Sequence, residues 1–149
     1  MIPGVLSVES SIVREIVMTV PPNSRDLNRG IDLFNNLRFF DAHEELEEVW
    51  RIMPRDHPWR QHVQGLVQLA VAFHHASTGN RTGARSVLER AVRNLEGADA
   101  SFPGLDLAQL RIELNYWQHH LTDSESGLDE SGICTSSIAP SLPKILRRR

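Results

Sequence analysis

Apolar residues recur every three or four positions over most of the chain, which is the spacing of the buried face of an amphipathic helix. Proline, glycine, asparagine and aspartate separate five such stretches, and these residues favour helix ends and turns. The pattern predicts helices over 25–37, 41–53, 57–78, 81–96 and 107–121. It predicts no strand in the core. The expected fold is therefore all-α, a compact antiparallel bundle of two helical hairpins plus a C-terminal helix.

The residues at the predicted helix ends support these boundaries. Asp41 followed by Glu44 resembles a capping box, so the second helix is expected to begin at Asp41 after a short turn at 38–40. Gly79 is placed to end the third helix in the left-handed conformation, and Asn80 is a favourable N-cap for the fourth. The third and fourth helices should therefore form a tight hairpin.

The third predicted helix, capped by Asp56, is apolar around nearly its whole circumference, which is typical of a central, buried helix. Gln64, Gln68 and His75 form a narrow polar stripe along it. Polar groups on a buried helix require hydrogen-bond partners, so this stripe must face something polar. The most economical partner is the polar side of the second helix.

The fifth predicted helix carries a narrow apolar seam. Its members are Leu107, Leu110, Leu114, Trp117 and Leu121. This seam either completes the internal core or serves as the interface of a homodimer.

The segments on either side of the helices have a different composition. Residues 1–23 are predicted to be an N-terminal extension, with a short helix near 12–20 and Met18 as an alternative start. Residues 122–149 are rich in Ser, Asp and Gly and are predicted to be a flexible tail, although 142–146 could lie extended against the bundle. The domain proper is therefore expected to span 24–121.

Composition and charge narrow the functional classes. The chain has 149 residues, which suits one domain, a net charge of −3 and a pI near 6.1. Basic residues form no stripe, which argues against nucleic acid as a partner. No apolar run reaches the length that spans a bilayer, and the single cysteine, Cys134, cannot form an internal disulfide. A soluble, cytoplasmic protein with no membrane partner is expected, binding an unknown small molecule or protein.

Candidate chemistry is concentrated between Asp41 and Trp50. On a helix, His43 and Glu47 share one face, so they offer two neighbouring metal ligands or an acid/base pair. With His74 and His75 from the third helix they predict a divalent-metal site for zinc, manganese or iron. Glu44 or Glu47 would then act as the base for hydrolysis by a metal-bound water.

Gln64 and Gln68 complete the predicted site as cofactor-binding residues. A competing interpretation needs no chemistry: the same residues form a buried hydrogen-bond network that fixes the register of the second and third helices. A third interpretation is a protein-interaction module. Arg81 and Arg85 are expected to pair with the acidic second helix, with binding of an anionic ligand as the alternative, and His57 is expected to be a surface or boundary residue.

Four linked motifs resemble one known family. They are His43-Glu44-x-x-Glu47-x-x-Trp50, Gln64-Gly65-Leu66-Val67-Gln68-x-Ala70, His74-His75 and Gly79-Asn80-x-x-Gly83-Ala84. Their order and spacing are similar to the bacterial and archaeal family called domain of unknown function 309, over about residues 25–121. The resemblance implies a compact helical bundle. It also implies the label that this uncharacterised family has received, a predicted metal-dependent hydrolase.

Overall fold

The computed structural model describes residues 24–98, 104–123 and 140–147. These residues form five helices and one two-residue strand pair. The helices are α1 (Ser24–Asn35), α2 (Phe39–Ile52), α3 (Arg60–Ser77), α4 (Arg81–Asn94) and α5 (Leu107–Asp123). The strands are β1 (Leu105–Asp106) and β2 (Leu146–Arg147). The predicted all-α bundle is confirmed, whereas the predicted N-terminal extension and most of the predicted tail lie outside the described residues.

Successive helices pack against each other, so that α1 lies on α2, α2 on α3, α3 on α4 and α4 on α5. An aromatic cluster joins four of them. Phe34 of α1 and Phe39 of α2 lie 5.2 Å apart, and Phe73 of α3 contacts Trp117 of α5 edge to face at 5.1 Å. Phe34 and Phe73 are in turn 5.9 Å apart. Edge-to-face contacts of this kind add to the free energy of aromatic burial.

The α1–α2 turn lies earlier in the chain than expected. α1 ends at Asn35, and Leu37 takes a positive φ of 65° with its side chain 52% exposed, although the pattern placed it inside the first helix. The amides of Leu37 and Arg38 bond back to the carbonyls of Phe34 and Leu33. A leucine therefore occupies the left-handed position that usually holds glycine.

α2 begins at Phe39, not at Asp41, so the predicted capping box is wrong. Asp41 lies within the first turn, where its carboxylate binds the Arg38 guanidinium at 2.8 Å. Arg38 is the N-cap residue, and its side chain makes no capping hydrogen bond. Phe39 is only 6% exposed, and its burial in the aromatic cluster explains why the helix includes it.

α3 is the central helix, as predicted, but it is shorter than expected. Residues 54–59 form turns, in which the His57 amide donates to the Pro54 carbonyl at 3.1 Å, and the helix starts only at Arg60. Its apolar residues are buried against both neighbouring helices. They include Val63, Leu66, Leu69, Ala70, Ala72 and Phe73.

The link between α3 and α4 follows the prediction closely. Gly79 has a φ of +82°, its amide bonds to the Ala76 carbonyl, and the Asn80 amide bonds to the His75 carbonyl at 2.9 Å. These bonds form a Schellman motif. Asn80 then caps α4, because its Oδ1 accepts from the Gly83 amide at 3.0 Å.

The apolar seam of α5 lies inside the bundle. Every member of it is at most 8% exposed, so this seam is not free to form a homodimer interface. The start of α5 also agrees with its local chemistry, since Asp106 Oδ1 accepts from the Gln109 amide at 3.1 Å. Gln109 is thus the third residue of the helix, as a capped first turn requires.

The C-terminal segment (140–147) joins α1 to α5. Ile145 is 1% exposed, and its backbone makes two hydrogen bonds to the Asn35 side chain, of 2.8 and 3.0 Å. The Trp117 indole donates to the Ser141 carbonyl at 3.0 Å, and β2 pairs antiparallel with β1. The extended stretch expected at 142–146 is therefore found on the bundle, ending in a short strand that the pattern did not predict.

Candidate functional site

Two of the predicted site residues, His43 and Glu47, pair on the surface of α2. His43 Nε2 lies 2.9 Å from Glu47 Oε2. Arg51 binds the other Glu47 oxygen at 3.2 Å and also lies 3.0 Å from a Glu48 oxygen. The side chains of His43 and Glu47 are 27% and 34% exposed. The pair therefore lies at the rim of the bundle and not in its interior.

An exposed aromatic ring lies beside this pair. The Phe40 side chain is 52% exposed, and its ring centroid is 6.2 Å from His43 and 5.5 Å from His74. His74 and His75 are neighbours in the chain with rings 6.2 Å apart. His43 and His74 thus share one aromatic neighbour on the side where α2 meets α3.

The polar stripe of α3 faces α4, and not α2 as expected. Gln68 Oε1 accepts from Asn94 Nδ2 at 2.7 Å, in a partly buried position. Two turns further along α3, Nδ1 of His75 lies 3.3 Å from Nδ2 of Asn80. The Asn80 oxygen is already bonded to Gly83, so the Asn80 amide donates and the His75 nitrogen accepts. Gln64 is half-buried one turn before Gln68 on the same helix.

A glycine on α3 explains why α4 approaches so closely. A Cβ atom at Gly65 would lie 2.8 Å from Leu95 Cγ and 3.2 Å from the Asn94 carbonyl carbon, shorter than normal contacts. Gly65 and Gln68 are three residues apart and so share this face. The side of α3 that carries Gln68 is therefore occupied by the C-terminal end of α4.

The predicted metal and catalytic residues are consequently divided between two sides of α3. His43, Glu47 and His74 lie toward α2, whereas Gln68 and His75 bond to residues at the two ends of α4. Glu44 is exposed on α2. Within residues 24–98, 104–123 and 140–147, no group of three or more His, Cys, Asp or Glu side chains is arranged to hold a metal ion.

Arg60 is a structural residue that the sequence pattern did not reveal. Its guanidinium lies 4.2 Å from the centroid of the Trp50 ring and donates to the carbonyls of Trp50 and Met53. These bonds give the last carbonyls at the end of α2 a charged donor, in addition to the Met53 amide that bonds to the Trp50 carbonyl at 3.3 Å, and a cation there interacts favourably with the helix dipole. Trp50 itself is partly buried, and its Nε1 is enclosed without a hydrogen-bond partner in the described part of the chain.

His57 is buried, contrary to the expectation of a surface or boundary position. Its side chain packs in the α2–α3 connection, where only 6% of the residue is exposed. Its Nδ1 accepts from the Trp59 amide at 3.1 Å, which requires that nitrogen to be unprotonated. Burial lowers the pKa of His57 below 6.5, and the nearby Asp56 carboxylate offsets part of this effect.

A cavity of about 280 Å³ lies where the start of α2, the end of α3, the start of α4 and the end of α5 meet the C-terminal segment. Phe39, Phe73, Trp117, Leu121 and Leu142 form apolar walls, and Arg81 lies at the edge. The Arg81 Nη2 donates to the His120 carbonyl at 3.1 Å. Arg81 therefore binds the end of α5, and not the acidic face of α2 as expected. We call this feature the Arg81 cavity.

None of the helices that the structure describes is long and apolar enough to cross a membrane.

Comparison with known proteins finds one family that part of the chain resembles. Residues 27–87 match the model of the family described as domain of unknown function (DUF309). An uncharacterized protein of Aquifex aeolicus (strain VF5) is 30% identical over 81 residues, which are 54% of this chain and 24% of that protein. The uncharacterized protein YpuF of Bacillus subtilis (strain 168) is 34% identical over 74 residues, which are 50% of this chain and 42% of that protein.

The match to the family is shorter than the 25–121 expected from the motifs, but it contains all four of them. It begins in α1 and ends within α4. The chain spans about a quarter of the length of one of these relatives and about two fifths of the other. The segment 27–87 of this chain, which holds the His43, Gln64, His74 and Gly79 motifs, is similar to the family described as domain of unknown function 309.

Proposed function

We propose that this chain is a non-enzymatic helical module, a structural or protein-interaction unit in which the polar motif residues hold the helices in register. The observation that carries the proposal is the hydrogen bond between Gln68 and Asn94. It joins α3 to α4 beside the close contact at Gly65, so a family-motif glutamine is used for packing. The bond between Asn80 and His75 does the same at the other end of α4.

The lengths of the relatives support a modular role. The matching segments account for 24% and 42% of two uncharacterized proteins, so similar helices occur there together with other sequence. Domains combined in one chain contact each other through interfaces that resemble those between separate proteins, which favours an interaction role. A cytoplasmic location belongs to the same proposal and rests on the single Cys134.

Metal-dependent hydrolysis is the competing function, and the i, i+4 spacing of His43 and Glu47 favours it. The neighbourhood of the pair weighs against it. Arg51 already binds Glu47, and its positive charge would oppose a divalent cation at the same carboxylate. The Nδ1 atom of His75 is engaged with Asn80 on the α4 side, so this nitrogen is not offered to a metal beside Glu47.

Thermal and urea unfolding separate the two functions. Gln68→Ala should lower the free energy of unfolding by about 1–2 kcal/mol in metal-free protein, because it leaves the Asn94 amide without its partner. Gln61→Ala is the matched control on the exposed side of the same helix, and it should change stability by less than about 0.5 kcal/mol. Zinc, manganese and iron should leave the unfolding temperatures of the wild type and of His43→Ala equally unaffected.

Metal analysis gives the result that would contradict the module. Protein purified without a histidine tag is analysed for metals before and after chelation. Stoichiometric metal in the wild type that is lost in both His43→Ala and His75→Ala, together with a Gln68→Ala variant as stable as Gln61→Ala, would replace the module with a metal site.

A further inference from the structure

The Arg81 cavity combines an apolar interior with a polar edge. Phe39, Phe73 and Leu121 are 6%, 2% and 4% exposed and form its interior. Arg81, Ser77 and Leu142 are exposed and lie around its opening. Apolar walls with a few polar groups at one end are the general form of small-molecule sites.

The positive charge of Arg81 at the opening is available to a ligand. The Arg81 guanidinium has five N–H donors, and the bond that the structure shows for it goes to a neutral acceptor, the His120 carbonyl. No carboxylate in the described part of the chain pairs with it. The His120 ring also lines the cavity, where it lies edge to face on Trp117 at 5.5 Å. The remaining Arg81 N–H groups can thus donate to a carboxylate in the two-bond geometry that guanidinium groups favour.

The volume limits the size of the ligand. A cavity of about 280 Å³ holds roughly nine non-hydrogen atoms, at about 30 Å³ for each water-sized unit. This is at the small end of ligand sites. An apolar tail of six to eight carbons fits the volume and the walls, and its carboxylate group then lies at the opening beside Arg81.

We infer that the Arg81 cavity is a binding site for a small monocarboxylate with an apolar tail, whose carboxylate binds Arg81 while the tail lies against Phe73 and Trp117. Straight-chain and aryl-substituted acids share this chemistry. The site goes beyond the proposed function and does not depend on the role of His43 or Glu47, which lie on a different part of the surface.

Isothermal titration calorimetry with octanoate, 3-phenylpropionate and octanamide tests the inference. Octanoate or phenylpropionate should bind the whole chain with one-to-one stoichiometry, and the stronger of the two identifies the kind of tail. Octanamide has the same tail as octanoate without the charge, and its affinity should be lower than that of octanoate by a factor of about ten or more. Equal affinity for octanoate and octanamide would overturn the assignment of a carboxylate.

Variants of the cavity show where binding occurs. Arg81→Gln should weaken octanoate binding about tenfold or more and leave octanamide unchanged, whereas Arg90→Gln, an exposed position on the same helix, should change neither. Leu142→Trp should block the opening and abolish both. Since Arg81 also binds the end of α5, Leu142→Trp, at a 39% exposed position, serves as the second variant if Arg81→Gln fails to fold. Saturable binding that persists unchanged in the folded variants, or no saturable binding to the wild type, refutes the site.

Discussion

At the scale of single residues, hydrogen bonding decides what the histidines do. His43 is paired with a carboxylate, His75 accepts a bond from an amide, and His57 accepts one from a backbone N–H inside the bundle. Helical periodicity was sufficient to predict the His43–Glu47 pair, because residues four apart always share a face. It could not predict that Gln68 and His75 face α4, since the direction of a stripe on a buried helix depends on which neighbour approaches it.

Acid should weaken the fold through His57. Its pKa in the folded protein is lowered by burial, so the folded state binds fewer protons than the unfolded state. The contribution of the neutral ring to stability is complete above the unfolded pKa of about 6.5 and is lost as the pH falls through the folded pKa. The free energy of unfolding in urea should therefore decrease from pH 7.5 to pH 5.

Comparison of two histidine variants tests this dependence. His57→Asn keeps an acceptor near the Trp59 amide but does not titrate, so its loss of stability between pH 7.5 and pH 5 should be smaller than that of the wild type. His119→Asn, at an exposed position, should retain the wild-type slope. An identical slope in all three proteins would show that His57 does not carry the effect.

At the scale of elements, helix ends were predictable where a short motif alone determines them. The cap at Asn80 and the left-handed Gly79 are as the sequence indicates. The start of α2 was not predictable in this way, because burial of Phe39 extends the helix past the capping box at Asp41. The end of α1 was missed because a leucine, and not a glycine, has the positive φ there.

A substitution in the α3–α4 link measures the free-energy cost of a positive φ for a residue other than glycine. Gly79 has a φ of +82°, and a Cβ atom placed there would meet nothing within 4 Å. Gly79→Ala should therefore lower the free energy of unfolding by about 1–2 kcal/mol through the left-handed conformation alone. Urea unfolding of Gly104→Ala, at an equally open glycine without a positive φ, provides the control and should show no comparable loss. Equal stability of the two variants would mean that the link relaxes to another turn.

At the scale of the whole molecule, the C-terminal segment (140–147) completes the bundle. An extended packing of 142–146 against the bundle was expected from the sequence. Its partners were not, since nothing in local sequence relates Asn35 to Ile145 or Trp117 to Ser141. The internal position of the α5 seam is equally a property of the assembled bundle, because the same heptad-like spacing would suit a dimer.

Truncation of one side chain measures how much this segment contributes. Ile145→Ala should lower the free energy of unfolding by about 2–4 kcal/mol, because the residue is 1% exposed and its removal leaves a cavity between α1 and the segment. Leu146→Ala, at a 44% exposed neighbouring position, should cost less than about 1 kcal/mol. Chemical denaturation of both variants gives the comparison, and similar losses would indicate that the segment is not held by Ile145.

The two bonds between Asn35 and Ile145 join residues 110 positions apart in the chain. The contacts between successive helices need only short loops to close, so they can form while this contact is still absent. A contact that forms late contributes little to the rate of folding and mostly to the rate of unfolding. The Asn35–Ile145 contact should therefore govern how long the folded molecule lasts more than how quickly it is made.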